Sequence, residues 1–435
     1  MKIAVVCSRL GYGGAERVAV MWANGFVRRG HETILISNLF EEQTYYVDER
    51  ISKHSLVSST KNKIVKWGSS ILNVRRVVKD EKPDVIIGVM ETCSWVSKIG
   101  TIGTHIPVIM TEHYAFDRSP YGSLSKMEKL SKFTLNKIFK IVTVLTEADK
   151  YIIGKRLKNV AVLPNPLSLS PIAKRNVNKT NVLLAVGRLD AWYVKGFDVL
   201  IRAWARVVSS LEFLVSTDGW KLQIAGTGSE ESLNYLKQLC KENGVEDSVE
   251  FLGFRKDVEK LYQDASIFVL SSRYEGFGLV LIEAMSQGCA CIACDYKGRQ
   301  REIIAPNEGE CLQFQDLSVD GPKEGEDTDV SNYKIPKKLE TSEKPEPRNS
   351  NPDARLCRFR SYDGERTRNI SVEACETGIL CEPDDVESLV AGIRKMIEDD
   401  EYRESVRVKA VERSKYYSIE NTIDRWEKLL DEVVN

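Results

Sequence analysis

Glu275 and Glu283 stand eight positions apart around a glycine-bearing turn, in Ser271-Ser272-Arg273-Tyr274-Glu275-Gly276-Phe277-Gly278-Leu279 and onward to Glu283. The turn opens a helix, and a helix start offers unpaired N–H groups and the positive end of a dipole to an anion such as a diphosphate. Carboxylates repel that anion but accept hydrogen bonds from hydroxyls, so the pair reads as a polyol clamp flanking a phosphate. Arg188 and Lys195, seven positions apart across a second turn, suit opposite sides of one diphosphate. Arginine forks two phosphate oxygens, lysine acts as a point charge, and both stabilise charge on a departing nucleoside diphosphate. Two solvated surface cations are the plainer reading in a chain that is 29% charged, and the glutamate block outweighs it. A sugar, two phosphates and a ribose have this layout. The spacing alone leaves open a glycosidase pair, with carboxylates about 5 Å apart.

These residues need strand ends to carry them. Short apolar runs alternate with amphipathic stretches: Ile3 to Cys7, a helix from Ala15 to Arg29 stopped by Gly30, Thr33 to Ser37, Val85 to Met90, Val108 to Thr111 and Ile141 to Leu145. Such alternation predicts parallel βα units. Val162-Leu163-Pro164-Asn165-Pro166 interrupts the series, and it restarts with Val182 to Val186, helices from Phe197 and Glu230, Lys221 to Ala225, Val249 to Leu252, Ile267 to Leu270 and Cys289 to Cys294. The expected fold is α/β: two facing Rossmann-like, doubly wound parallel-sheet domains with a cleft between them. Residues 1–167 form the first. Residues 168–417 form the second, and a helix over 418–435 with Ile423, Trp426, Leu430 and Val433 on one stripe returns to the first. Gly13, His113, Arg188, Gly226 and Glu275 all follow predicted strands, where open α/β sheets bind ligands.

Composition narrows the classes. A chain of 435 residues, 42% hydrophobic, exceeds one ordinary core, and a net charge of −1 argues against nucleic acid as partner. The start Met1-Lys2-Ile3-Ala4-Val5-Val6-Cys7 runs directly into a strand, so no signal peptide is expected and a cytoplasmic location follows. Ten cysteines then count as small apolar residues, with core packing preferred over zinc for Cys289-x-Cys291-x-x-Cys294. Gly11-Tyr12-Gly13-Gly14 loosely imitates a dinucleotide fingerprint, but nothing acidic ends the next strand. Gly13 and Gly14 are read instead as letting backbone approach a donor diphosphate or an acceptor, with Glu16 bonding the same turn or capping the helix.

The block order is similar to that of the retaining glycosyltransferases of family 4, the E-x7-E type of GT-B fold active in bacterial surface-glycan biosynthesis. Gly13-Gly14-Ala15-Glu16-Arg17, Gly187-Arg188, Lys195-Gly196, Leu252-Gly253-Phe254 and the glutamate block carry the resemblance across nearly the whole chain. It implies retaining transfer from a nucleotide-sugar, with a UDP-sugar expected, to a glycan or lipid-linked acceptor, without metal or cofactor. Glu275 then lies beside the transferred sugar and Glu283 on the ribose hydroxyls. His113 approaches sugar and phosphate, and Gly226, Phe254, Arg255, Gly276, Phe277, Gly278 and Leu279 complete the donor site. An epimerase on the same architecture and a catalytically silent binding scaffold are the alternatives.

Two stretches stand apart. Residues 121–158 are basic, and a helical wheel puts Leu124, Met127, Leu135 and Ile138 on one face with Lys126, Lys129, Lys137 and Lys140 opposite. That suits either a surface helix or peripheral docking on an anionic membrane. Residues 308–376 replace a short family loop. Their proline-rich, apolar-poor middle is expected to be disordered, and the flanks Leu312 to Leu317 and Cys357 to Val372 are expected to form a hairpin. The only acidic pair shaped for a metal, Asp327 and Asp329, falls in that middle.

Overall fold

The structure is a computed structural model. It describes residues 1–11, 13–38, 45–57, 62–119, 122–173, 179–209, 219–305, 359–360, 369–370 and 372–434. Counting the strands of the two large sheets, the first contains β1 (Lys2–Arg9), β2 (Glu32–Asn38), β3 (Ser52–Ser55), β4 (Val85–Val89), β5 (Val108–Thr111), β6 (Ile141–Val144) and β7 (Val160–Val162). Their order is β3-β2-β1-β4-β5-β6-β7, parallel throughout. The second contains β8 (Thr180–Val186), β9 (Lys221–Ala225), β10 (Val249–Gly253), β11 (Ala265–Leu270), β12 (Ala290–Cys294), β13 (Val372–Cys375) and β14 (Gly378–Cys381). Their order is β10-β9-β8-β11-β12-β14-β13, parallel except for the antiparallel β13–β14 pair. The expected doubly wound pair of domains is what the chain builds.

Both faces of each sheet are covered. In β1, Ile3, Val5 and Cys7 enter one core while Ala4 and Val6 enter the other; in β8, Leu183 and Ala185 part from Leu184 in the same way. Period-two side chains with apolar cover on both sides explain the uninterrupted apolar runs. Each fully buried Val, Leu or Ile stabilises by about 1.5–3 kcal/mol. The helix Gly14–Arg28 buries Val18, Ala19, Trp22 and Phe26 at the spacing of one helical face and yields to Gly30 at φ 86°. The final helix, Ile419–Val434, lies against it. A Cβ on Gly25 would fall 2.6 Å from Ile423, and the rings of Trp22 and Trp426 meet edge-on at 4.9 Å.

Four features differ from the sequence reading. Strand β3 and the helix Lys63–Glu81 were not anticipated. Val372–Cys375, placed in the insertion, is an edge strand of the second sheet. Phe359–Arg360 pairs antiparallel with Asn369–Ile370, both within the second flank; the Leu312–Leu317 flank, Asp327, Asp329 and the rest of the insertion lie outside the described residues. The basic stretch is no single helix: Lys126–Phe133 breaks at Thr134 into a 3-10 turn over Leu135–Ile138. Leu124 is buried whereas Met127, Leu135 and Ile138 are exposed, and Lys132 is buried on Glu112 rather than solvated.

Candidate active site at the interdomain cleft

The ends of β8, β9 and β10 are tied side by side by backbone bonds. Gly187 donates to Ala225 O at 2.9 Å, Leu189 to Thr227 O at 2.8 Å, and Gly226 to Gly253 O at 2.9 Å. At Gly226 only glycine fits: φ is 152° and a Cβ would lie 1.8 Å from Gly187 O. After β8 the chain turns through Trp192–Lys195 and stops at Gly196, where φ is 65° and a Cβ would meet Ser271 O at 2.0 Å. That close approach locks the turn to the end of β11. Ser271 Oγ donates to Lys195 O at 2.8 Å and the Arg273 amide to Val194 O at 2.9 Å. Arg273, itself buried, forks Asp198 at 2.7 and 2.8 Å, bonds Asp384 at 2.8 Å and covers the Tyr193 ring at 4.1 Å.

So positioned, Lys195 Nζ lies 2.7 Å from Glu275 Oε2, and the Ser272 hydroxyl donates to the same oxygen at 3.3 Å. Both side chains keep about a fifth to a quarter of their surface open, 24% and 20%. Lys195 also runs past Gly187, whose Cβ would lie 3.3 Å from its Cγ. The neighbouring Arg188 is exposed and, among the described residues, forms no side-chain hydrogen bond or ion pair. The helix Leu279–Ser286 starts at Gly278, φ 95°. Phe277 buries its ring against Tyr417 at 5.5 Å.

The first domain brings its own glycine turn to the same place. A Cβ on Gly14 would lie 3.2 Å from Leu279 Cδ1, and one on Gly276 would meet Ala115 N at 2.9 Å. The N-termini of Gly14–Arg28 and Leu279–Ser286 therefore approach each other across the cleft, and both favour negative charge between them. Glu16 folds over Gly13, where a Cβ would clash with Oε2 at 1.8 Å, and it takes Arg9 Nε at 3.4 Å.

His113 follows β5. Glu112 Oε1 accepts the amides of His113 and Tyr114 at 3.1 and 3.2 Å, while Oε2 takes buried Lys132 at 2.7 Å. Thr111 Oγ1 donates its only proton to Gly88 O at 3.2 Å. Nε2 of His113 lies 3.1 Å from the same hydroxyl. Nδ1 is buried, and the Asn165 side chain interacts with the ring. Burial pulls the imidazole down to about 4, so it is neutral at physiological pH.

Glu283 differs most from its sequence reading. It is 2% exposed, and its carboxylate is already engaged: Arg17 of the first domain and Ser168 Oγ, at 2.6 Å, donate to Oε1, and the Tyr262 hydroxyl donates to Oε2 at 3.3 Å. Burial beside Glu283 pushes the Tyr262 hydroxyl well above its ordinary value. None of the three partners was singled out from the sequence, although Arg17 closes the Gly13–Arg17 block. Phe254 is half-exposed, and Arg255 is forked on Asp257 at 2.8 and 2.6 Å, which pulls that carboxyl down to about 2. Both follow β10, an edge strand two places from β8. Among the described residues no three His, Cys, Asp or Glu side chains cluster as a metal site.

Comparison with known proteins agrees with this geometry. The family described as Glycosyltransferase Family 4 matches residues 12–170, and Glycosyl transferases group 1 matches residues 171–319. The chain is 30% identical over 319 residues to the amylovoran biosynthesis glycosyltransferase AmsD of Erwinia amylovora, covering 70% of this chain and 83% of that one. It is 27% identical over 314 residues to a Campylobacter jejuni N-acetylgalactosaminyltransferase named for a diphospho-undecaprenol-linked glycan, covering 71% and 83%. Among solved structures, Anabaena HepE in complex with UDP and glucose superposes with a TM-score of 0.69 at 17% identity, over 99% of this chain and 100% of that one. The two family matches, the 30% identical relative and the superposed structure make this chain a glycosyltransferase of GT-B fold belonging to family 4.

Proposed function

We propose that the chain transfers a sugar, with retention, from a UDP-sugar to a lipid-linked or glycan acceptor at the cytoplasmic face of a membrane. The observation that carries this reading is the Lys195–Glu275 pair at 2.7 Å beside two opposed helix N-termini. It offers a carboxylate to sugar hydroxyls and cationic or dipolar charge to a diphosphate within one turn of chain. Arg188 and Lys195 stabilise the diphosphate as the bond from the anomeric carbon to its oxygen breaks and the electron pair leaves with the nucleotide. The acceptor oxygen bonds that carbon on the same face, and its proton passes to the departing phosphate oxygen. Neutral His113 takes part through hydrogen bonding rather than as a cation. No metal is assigned a step.

Two relatives support the choice of substrates: HepE is solved with UDP, and the Campylobacter enzyme is named for an undecaprenol-linked acceptor. The nucleotide-sugar epimerase alternative gains no support from them. Membrane docking is supported by exposed apolar residues flanked by lysines: Met127, Leu130, Leu135 and Ile138 on the basic stretch, and Ile64, Val65, Trp67 and Leu72 on the helix Lys63–Glu81. Both elements flank the helix Met90–Gly100, through direct packing on one side and the Ser131–Glu91 bond on the other. No helix among the described residues is long and apolar enough to cross a membrane. A thermal-shift panel of nucleotide-sugars tests the donor: UDP-sugars should raise the unfolding temperature by mass action. A panel in which no UDP-, GDP- or ADP-sugar shifts it rejects the reading.

A further inference from the structure

We infer that Arg17 is a positioning residue that holds Glu283 from across the cleft, so that the donor's ribose is read only when both domains have closed on it. The inference rests on Glu283 being the ribose-side carboxylate. A carboxylate 2% exposed persists in ionised form only if it is paired and hydrogen-bonded. Among the described residues, Arg17 is the one cation hydrogen-bonded to it, and it belongs to the opposite domain. Arg17 and Ser168 share Oε1, while Oε2 holds a single 3.3 Å bond from Tyr262. Three of a carboxylate's roughly four acceptor sites are thus taken, and one remains for a ribose hydroxyl.

The chain also dictates when Arg17 can act. Its amide donates to Gly13 O at 3.1 Å in the first turn of Gly14–Arg28, the turn whose Gly14 faces Leu279. Opening the cleft withdraws helix and guanidinium together. With Arg17 seated, Glu283 is buried, so the donor enters first and the Arg17–Glu283 pair closes afterwards.

The test compares kcat/KM for a UDP-sugar and for its 2′-deoxyuridine counterpart in Arg17→Met, Arg17→Lys, Glu283→Gln and the Arg17→Met/Glu283→Gln double variant. A buried polar site that loses its hydroxyl partner costs about 1–3 kcal/mol, so the wild type should prefer the ribose by roughly tenfold to a hundredfold. Arg17→Met should erase most of that preference, Glu283→Gln should do the same, and the double variant should lose nothing further. Arg17→Lys should keep the larger part of it, which also serves as the readout if the methionine variant does not fold. A preference left intact in Arg17→Met alongside equal losses for both donors overturns the inference, and so does a preference that Arg17→Lys loses entirely. A preference absent in the wild type, or untouched by Glu283→Gln, instead removes the ribose-side reading of Glu283 beneath it.

Discussion

Lys195 and Glu275 neutralise each other at 2.7 Å, and a donor would part them, its hydroxyls going to the carboxylate and its diphosphate to the ammonium. Glu275→Ala should therefore lower kcat by on the order of 10²–10³, while UDP binding, measured by calorimetry, stays within a few-fold of wild type. Lys195→Ala and Arg188→Ala should weaken both turnover and UDP binding. Equal loss of UDP affinity in Glu275→Ala and Lys195→Ala would contradict the division of roles. These residues were legible because the turn, the helix start and the charges lie in short blocks. Arg17, Ser168 and Tyr262 were not legible as partners of Glu283: they sit 266, 115 and 21 positions away, and only chain folding brings their donors to one carboxylate. The histidine was visible, but its neutral state comes from burial.

At the scale of elements, strands buried on both faces wrote themselves as apolar runs, and the helix stopped by Gly30 wrote itself as a stripe. The basic stretch failed as a wheel. Lys132 is drawn onto Glu112 at 2.7 Å and Asn136 is fully buried, so the backbone tightens after Phe133 and the two halves no longer share one periodicity. What replaces the wheel is a surface with exposed Met127, Leu130, Leu135 and Ile138 beside lysines, and with Trp67 and Leu72 on the helix that had gone unread. A cation near an anionic bilayer contributes about 1 kcal/mol. Changing Lys126, Lys129, Lys137 and Lys140 together to Glu should cut sedimentation with phosphatidylglycerol-containing vesicles at least tenfold. Neutral phosphatidylcholine vesicles should bind either form weakly. Undiminished binding of the charge-reversed protein to the anionic vesicles rules this face out as the docking surface.

Across the whole molecule, the two domains meet through buried charge as well as through the site. Arg299, fully buried, joins Asp149 at 2.6 Å and Asp117 at 2.8 Å. Glu302 accepts the amides of Glu147 and Ala148, at 2.9 and 2.6 Å, at the start of a first-domain helix. Burial, with Glu147 and Asp149 nearby, raises the Glu302 carboxyl from its ordinary 4.5 to about 7. The closed interface thus favours the protonated form: its contribution to closure is fully present below about 4.5 and is lost as pH rises through 7. The radius of gyration from small-angle scattering should therefore increase between pH 5 and pH 7.5 in the wild type, and not in Glu302→Gln, which cannot ionise and keeps an oxygen for one of the two amides. The same rise in both proteins would assign the effect to another group.

The sequence by itself determined two α/β domains, the cleft between them, and the glycine, lysine, arginine and glutamate blocks that mark a nucleotide-sugar enzyme, because period-two burial and helix-start chemistry are local properties of the chain. Only the tertiary structure decided which groups hold Glu283, that His113 is buried and neutral, and which apolar residues are left exposed. Those depend on distances between segments far apart in the chain, which no spacing along it encodes.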